Sequence, residues 1–165
     1  MGFDGKEVQK VENSEGYQAI NKIANGKILM KGNNDDYTKS VFYWKDIKSG
    51  ELEKLGEIST STYYVKAYID GSVLCEVWPD LILYKIGSTE KGTKIIQDYS
   101  EMLGMVEKDG VLQIVWTSNS YKLFITRVEL KGGINIQTKE LEVGERVTGT
   151  ASISAISSKE IVLTC

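Results

Sequence analysis

The chain has no histidine and only two cysteines and a single proline in its 165 residues. Lack of histidine removes the commonest general base, the usual middle member of a nucleophilic triad and the commonest metal ligand. Two cysteines, Cys75 and Cys165, cannot make a four-ligand zinc site on their own. Cys75 lies inside an apolar run and reads as a small buried hydrophobe. A disulfide to Cys165 is left open by spacing alone. Sparse cysteine points to a reducing, cytoplasmic setting.

An excess of charge of one sign is missing too. The net charge is −3 and the lysines are scattered singly, so no basic face is offered to nucleic acid. No apolar run approaches the roughly 18 residues of a membrane helix. The opening stretch "MGFDGKEVQKVENSEG" has no basic region followed by an apolar one, as a signal peptide would. Lys6 stands where a myristoylation pattern requires Ser or Thr. What remains, 41% apolar and 26% charged residues over one domain's length, is the composition of an ordinary soluble globular domain. Neither a cofactor nor a metal is expected.

The clearest thing present is a repeat. "KIANGKILMK" from Lys22, "AYIDGSVLCEV" from Ala67 and "VEKDGVLQIVW" from Val106 each place an apolar strand on either side of Asn-Gly or Asp-Gly. Those dipeptides suit a two-residue hairpin because both positions accept positive φ at low cost. "AISSKEIVL" from Ala155 is a degenerate fourth copy, with Ser157-Ser158 at the turn.

Each of the first three copies is followed by an aromatic-rich strand, a basic residue, a polar turn with glycine and another strand. The basic residues Lys45, Lys85 and Arg127 lie 40 and 42 positions apart, and the turn glycines are Gly50, Gly92 and Gly133. Four strands at a period of about 41 residues predict an all-β, propeller-like chain of four-stranded antiparallel blades. Helix is disfavoured: Gly56 interrupts "ELEKLGEI", and valine, isoleucine, tyrosine and threonine dominate the apolar runs.

The stretch "FYWKDIKSGELEKL" resembles the hairpin between the third and fourth strands of quinoprotein-type and kelch-like propeller blades. This resemblance extends as a blade pattern over roughly residues 17 to 165 and implies a β-propeller. It carries over no ligand, because the Ala-x-Asp and closing tryptophan of quinoprotein blades are missing. The Gly-His and Trp-Asp dipeptides of WD repeats are missing as well.

The expected units are about 17–60, 61–101 and 102–144, with a partial unit at 145–165 that residues 6–13 would close. Three and a half to four blades leave three arrangements open: a small four-bladed ring, half of an eight-bladed homodimer, or a fragment of a longer propeller. Closure matters because an open arc would leave an edge free to pair with other chains.

Candidate site residues come from the loops "GNNDDYT", "WPD" and "WTSNSY". Trp78 and Trp116 each end the second strand of a unit. They read either as an aromatic rim able to stack on a sugar or anchor a partner, or as packing between blades. Trp44, in mid-strand, reads as core. Asn33 to Asp36 are four consecutive oxygen-bearing residues, but a calcium loop alternates its ligands, so a solvated turn bonding its own backbone is the expectation. Asp36 and Asp80 fall at equivalent loop positions, with Asn119 at the third and Tyr121 beside it. A carboxylate pair there would permit glycosidase chemistry.

Together these features predict a non-catalytic platform for protein contacts, with neither nucleic acid nor membrane as partner. The alternative is a carbohydrate-binding module, which would need one aromatic per blade beside amide or carboxylate groups. With Asn33 taken as the counterpart of Trp78 and Trp116, that series is broken in the first unit, and the platform fits better.

Overall fold

A computed structural model describes residues 16–62, 64–142, 152–155 and 161–164, and every regular element among them is a strand. The first sheet holds Gln18–Ala24 (β1), Lys27–Asn33 (β2), Ser40–Asp46 (β3) and Leu52–Ile58 (β4), neighbours in chain order and antiparallel. The second repeats this with Tyr64–Ile69 (β5), Ser72–Val77 (β6), Asp80–Lys85 (β7) and Thr93–Ile96 (β8). The third follows with Tyr99–Lys108 (β9), Val111–Ser118 (β10), Leu123–Glu129 (β11) and Asn135–Leu141 (β12). It begins at Tyr99 rather than after residue 101. Ser152–Ala155 (β13) pairs with Ile161–Thr164 (β14) as a fourth hairpin. The Ser157-Ser158 turn, residues 6–13 and Cys165 lie outside the described residues.

None of these sheets closes on itself. The structure establishes the four-stranded antiparallel repeat and not the ring.

The turns that start each sheet explain why the strands meet. Asn25 and Gly26 take φ of 52° and 72°, Asp70 and Gly71 46° and 75°, and Asp109 and Gly110 55° and 76°. Two consecutive left-handed residues match the twist of the strands they join. Ala24 therefore faces Lys27, Ile69 faces Ser72 and Lys108 faces Val111.

Two compact units form. One is the first sheet with Ile86–Glu90, and the other is Thr62–Lys85 with the chain from Lys91 onward. In the first unit Leu29, Phe42 and Ile58 are buried, and Lys45 is as buried as Phe42. Its repeat counterparts differ: Lys85 is exposed, and Arg127 is half-buried in an ion pair with Glu129. The segment Ile86–Glu90 covers the outer edge of β4. The Gly87 N–H donates to the Glu57 carbonyl at 2.9 Å, and Ser59 Oγ donates to the Glu90 carbonyl at 3.4 Å. Gly56 makes this approach possible. Its φ is 149°, and a Cβ there would stand 3.0 Å from Ile86 Cγ2 and 3.1 Å from the Gly87 nitrogen.

In the second unit Leu74, Leu81, Leu83, Leu112, Ile114 and Val128 form a core between the second and third sheets. Cys75 is fully buried, as its apolar setting predicts. Gly92, read from sequence as a turn glycine, serves another purpose. A Cβ there would lie 2.5 Å from Ile82 Cγ2 and 2.6 Å from Tyr84 Cε1, so the chain passes over those side chains only because residue 92 has none. The left-handed glycine of that connection is Gly87, at φ 82°.

Two substitutions test this packing by chemical denaturation. Ile114→Ala empties a fully buried position and should cost about 2–5 kcal/mol. Gly92→Ala should cost about 1–3 kcal/mol by overpacking against Ile82 and Tyr84. A neutral Gly92→Ala would show that this crossing is loose.

Candidate functional site

The turn between the second and third strand of every four-stranded sheet carries one exposed aromatic side chain. Tyr37 is 73% exposed, Trp78 71% and Tyr121 66%. Large aromatic rings left in water gain nothing for folding, so their recurrence at one topological position marks each of these turns, taken by itself, as a candidate contact point.

In the first unit the turn runs from Asn34 to Lys39. The Asn34 N–H donates to the Lys39 carbonyl at 3.1 Å, and the Tyr37 N–H donates to the Asn34 carbonyl at 3.0 Å. Asp36 Oδ1 accepts from Asn34 Nδ2 at 2.5 Å, from Thr38 Oγ1 at 2.6 Å and from the Thr38 N–H at 3.1 Å. Asn34 Oδ1 accepts from the Lys39 N–H at 2.8 Å. These side chains bond their own turn, as the Asx reading predicted, and Asn33 is the exposed last residue of β2. The Thr38 hydroxyl first, and then its amide, hold the Asp36 carboxyl below the usual aspartate range.

The third sheet builds the same turn with fewer residues. The Ser118 N–H donates to the Lys122 carbonyl at 3.0 Å, and the Tyr121 N–H donates to the Ser118 carbonyl at 2.9 Å. Tyr37 and Tyr121 both sit in the left-handed region, at φ 59° and 61°. That conformation favours glycine or asparagine over a bulky side chain. Two turns thus carry tyrosine where the backbone alone would select something smaller.

Within the second unit hydrogen bonds join neighbouring turns into one edge. The Trp78–Pro79 peptide is cis, and the Pro79 carbonyl accepts from the Tyr99 N–H at 2.8 Å. One residue earlier, Asp98 Oδ1 accepts from Asn119 Nδ2 at 2.6 Å. Ser118 Oγ and Ser120 Oγ share a bond of 2.8 Å. Asp80 pairs with Lys94 at 2.6 Å. Trp78, Asp80, Asn119 and Tyr121 are therefore held in or beside turns that hydrogen bonds connect.

Trp116 is not among them, and the rim reading is corrected for it. The side chain is 5% exposed, its ring stacks on Phe124 at a centroid distance of 4.6 Å, and Nε1 donates to Thr126 Oγ1 at 2.9 Å. Its place belongs to Tyr121. Trp44 is half-buried in β3. Asp36 lies in the first unit and Asp80 in the second, each with partners of its own.

Sequence reasoning missed Tyr37. The signal was a short polar residue followed three positions on by tyrosine, "NDDY" and "SNSY", repeated between the same two strands. With Tyr37 rather than Asn33 as the counterpart, the aromatic series is continuous.

Among the described residues no group of three or more cysteine, aspartate or glutamate side chains is placed to hold a metal ion. Among the described residues no helix is long and apolar enough to cross a membrane. Compared with protein-family models and with curated proteins, the chain finds no match.

The bonds at Asp36 set a pH expectation. A lowered folded pKa stabilises the turn above the ordinary value of about 3.9, and this contribution is lost as pH falls through the folded value. A carboxyl NMR titration should place the Asp36 midpoint below that value, and Thr38→Ala should move it upward. An unmoved midpoint in Thr38→Ala would remove the hydroxyl as the cause.

Proposed function

We propose that this chain is a non-catalytic platform for protein contacts, its sheets serving as propeller blades. The observation that supports it most is the hydrogen-bonded edge of the second unit. Trp78 and Tyr121 are exposed there, Val77 is 40% exposed beside Trp78, and Asp80, Lys94, Asp98 and Asn119 supply polar groups around them. Protein recognition asks for an aromatic anchor inside a polar rim, held on a rigid support. A cytoplasmic setting, without nucleic-acid or membrane partners, goes with this reading.

A carbohydrate-binding module is the second reading, and one observation favours it: each four-stranded sheet offers one exposed aromatic beside short polar side chains. Against it, one atom each of Asp80, Asp98 and Asn119 is already bonded, to Lys94 or between Asp98 and Asn119. Glycosidase chemistry has less support still. A general acid needs a raised pKa, and that of Asp36 is lowered.

The chain ends belong to the same proposal. Segments 6–13 and 159–165 would pair across two copies and complete a ring as a homodimer, which removes sheet edges.

Affinity purification with the wild type and with Trp78→Ala/Tyr121→Ala tests the platform. A protein retained only by the wild type, and binding it again when both are pure, supports protein contact. Glycan-array signals that vanish in Trp78→Ala would instead establish the carbohydrate reading. For the dimer, sedimentation of the chain lacking residues 1–15 should show monomers or aggregates. An unchanged dimer rules that closure out.

A further inference from the structure

We infer that Asn25 is a site of spontaneous covalent modification: the Gly26 nitrogen attacks its side-chain amide in the assembled chain and converts it to aspartate and isoaspartate. This stands apart from the platform reading and concerns how long the first hairpin keeps its native backbone.

Three observations single out this asparagine. Asn25 and Gly26 form the exposed two-residue turn between β1 and β2. Gly26 has no side chain to obstruct its own nitrogen, and a Cβ built there would meet nothing within 4 Å, so the turn is open to water. The Asn25 amide makes no hydrogen bond among the described residues. Elsewhere the amide is held, or a bulkier residue follows. Asn34 Nδ2 donates to Asp36 Oδ1 at 2.5 Å and to Thr38 Oγ1 at 3.2 Å, and Asn119 Nδ2 donates to Asp98 Oδ1 at 2.6 Å. Asn33 precedes Asn34, and Asn135 precedes the β-branched Ile136.

The reaction consumes only water. The Gly26 nitrogen loses its proton and bonds to Cγ of Asn25, the Cγ–Nδ2 bond breaks, and Nδ2 leaves as ammonia with a proton in exchange. Water then opens the cyclic imide at one of its two carbonyls. Opening at the side-chain carbonyl gives aspartate. Opening at the backbone carbonyl gives isoaspartate, with the main chain running through Cγ.

The fold treats these products differently. Asp70 and Asp109 occupy the same turn position at φ 46° and 55°, beside 52° for Asn25, so aspartate fits. Isoaspartate adds a methylene to the main chain between Ala24 and Lys27, whose pairing depends on a two-residue turn. The Gly26 carbonyl also accepts from the Ile47 N–H at 3.0 Å, so a displaced turn releases the neighbouring connection as well. That same bond opposes the swing that attack requires. Reaction therefore proceeds through local opening, at the terminal strand of a sheet where Ile23 is 66% exposed.

Keeping the full chain at mildly alkaline pH for weeks, with samples digested by trypsin, tests this. The peptide 23–27 should gain the mass difference between amide and acid several-fold sooner than the peptides 32–39, 109–122 and 132–139, which carry Asn33, Asn34, Asn119 and Asn135. Its product should separate into two isomers of equal mass. A synthetic peptide of residues 22–31 should convert several-fold faster than the folded chain, since no sheet closes its turn. Asn25→Asp should show no mass gain at that peptide and should keep the amide-exchange protection of β1 and β2, whereas the aged wild type develops a fast-exchanging fraction there.

No gain at 23–27, or an earlier gain in any of the other three peptides, overturns the inference. So does a single aspartate product, which the imide route excludes, or an aged hairpin that exchanges no faster than a fresh one.

Discussion

The second strand of each four-stranded sheet carries that sheet's longest unbroken run of buried residues. All eight residues of β10 are buried, Gln113, Thr117 and Ser118 among them, and four consecutive residues are buried in both β2 and β6. A sheet covered on one face shows alternating burial, so the unbroken burial of β10 in the second unit requires cover on both of its faces. Other features follow from it. Polar groups brought inside must be bonded, which is why the Trp116 indole meets the Thr126 hydroxyl. Exposure grows toward the outer strands, where β4 and β12 carry the lysines and glutamates. Charges on an outer strand discourage pairing with other chains.

The same constraint makes the turn edge a credible place for recognition. Trp78 directly follows β6, and Tyr121 sits in a turn closed by backbone hydrogen bonds between Ser118 and Lys122 and between Tyr121 and Ser118. Side chains that stay put when free lose little entropy on contact. The price of this arrangement is two tyrosines in a backbone region that smaller residues prefer, and such outliers gather at functional positions.

Much of the fold was legible in the sequence because its determinants are local. Asn25-Gly26, Asp70-Gly71 and Asp109-Gly110 specify their hairpins within two residues, and the β-branched runs on either side specify strands. Whether the sheets close into a ring was not legible, because that concerns which edges meet, and no short motif encodes it. The site was legible in part. Trp78, Asp80, Asn119 and Tyr121 could be placed at turns from the sequence because turn residues declare themselves by their neighbours. For Trp116 the choice between rim and packing could not be made from sequence, because the fate of its ring depends on Phe124 and Thr126, which the register of β11 brings opposite β10. Tyr37 escaped because counting from Asn33 compares a strand end with a turn tip. The lysine set Lys45, Lys85 and Arg127 teaches the same lesson: equal spacing placed them in step and said nothing of burial.

The hydrogen bond from Gly87 to Glu57 has a temporal meaning. Thirty residues separate its partners. At ribosomal speeds of roughly 5–20 residues per second, β4 would emerge from synthesis seconds before the segment that covers its edge. During that interval the nascent chain presents an outer strand with its backbone unsatisfied, next to Lys54 and Glu57, whose charges repel casual neighbours. Gly56 holds the seat open without a side chain to fill it. The first unit is thus finished by a piece of chain made after the second has begun, so the order of translation and the order of assembly are interleaved rather than sequential.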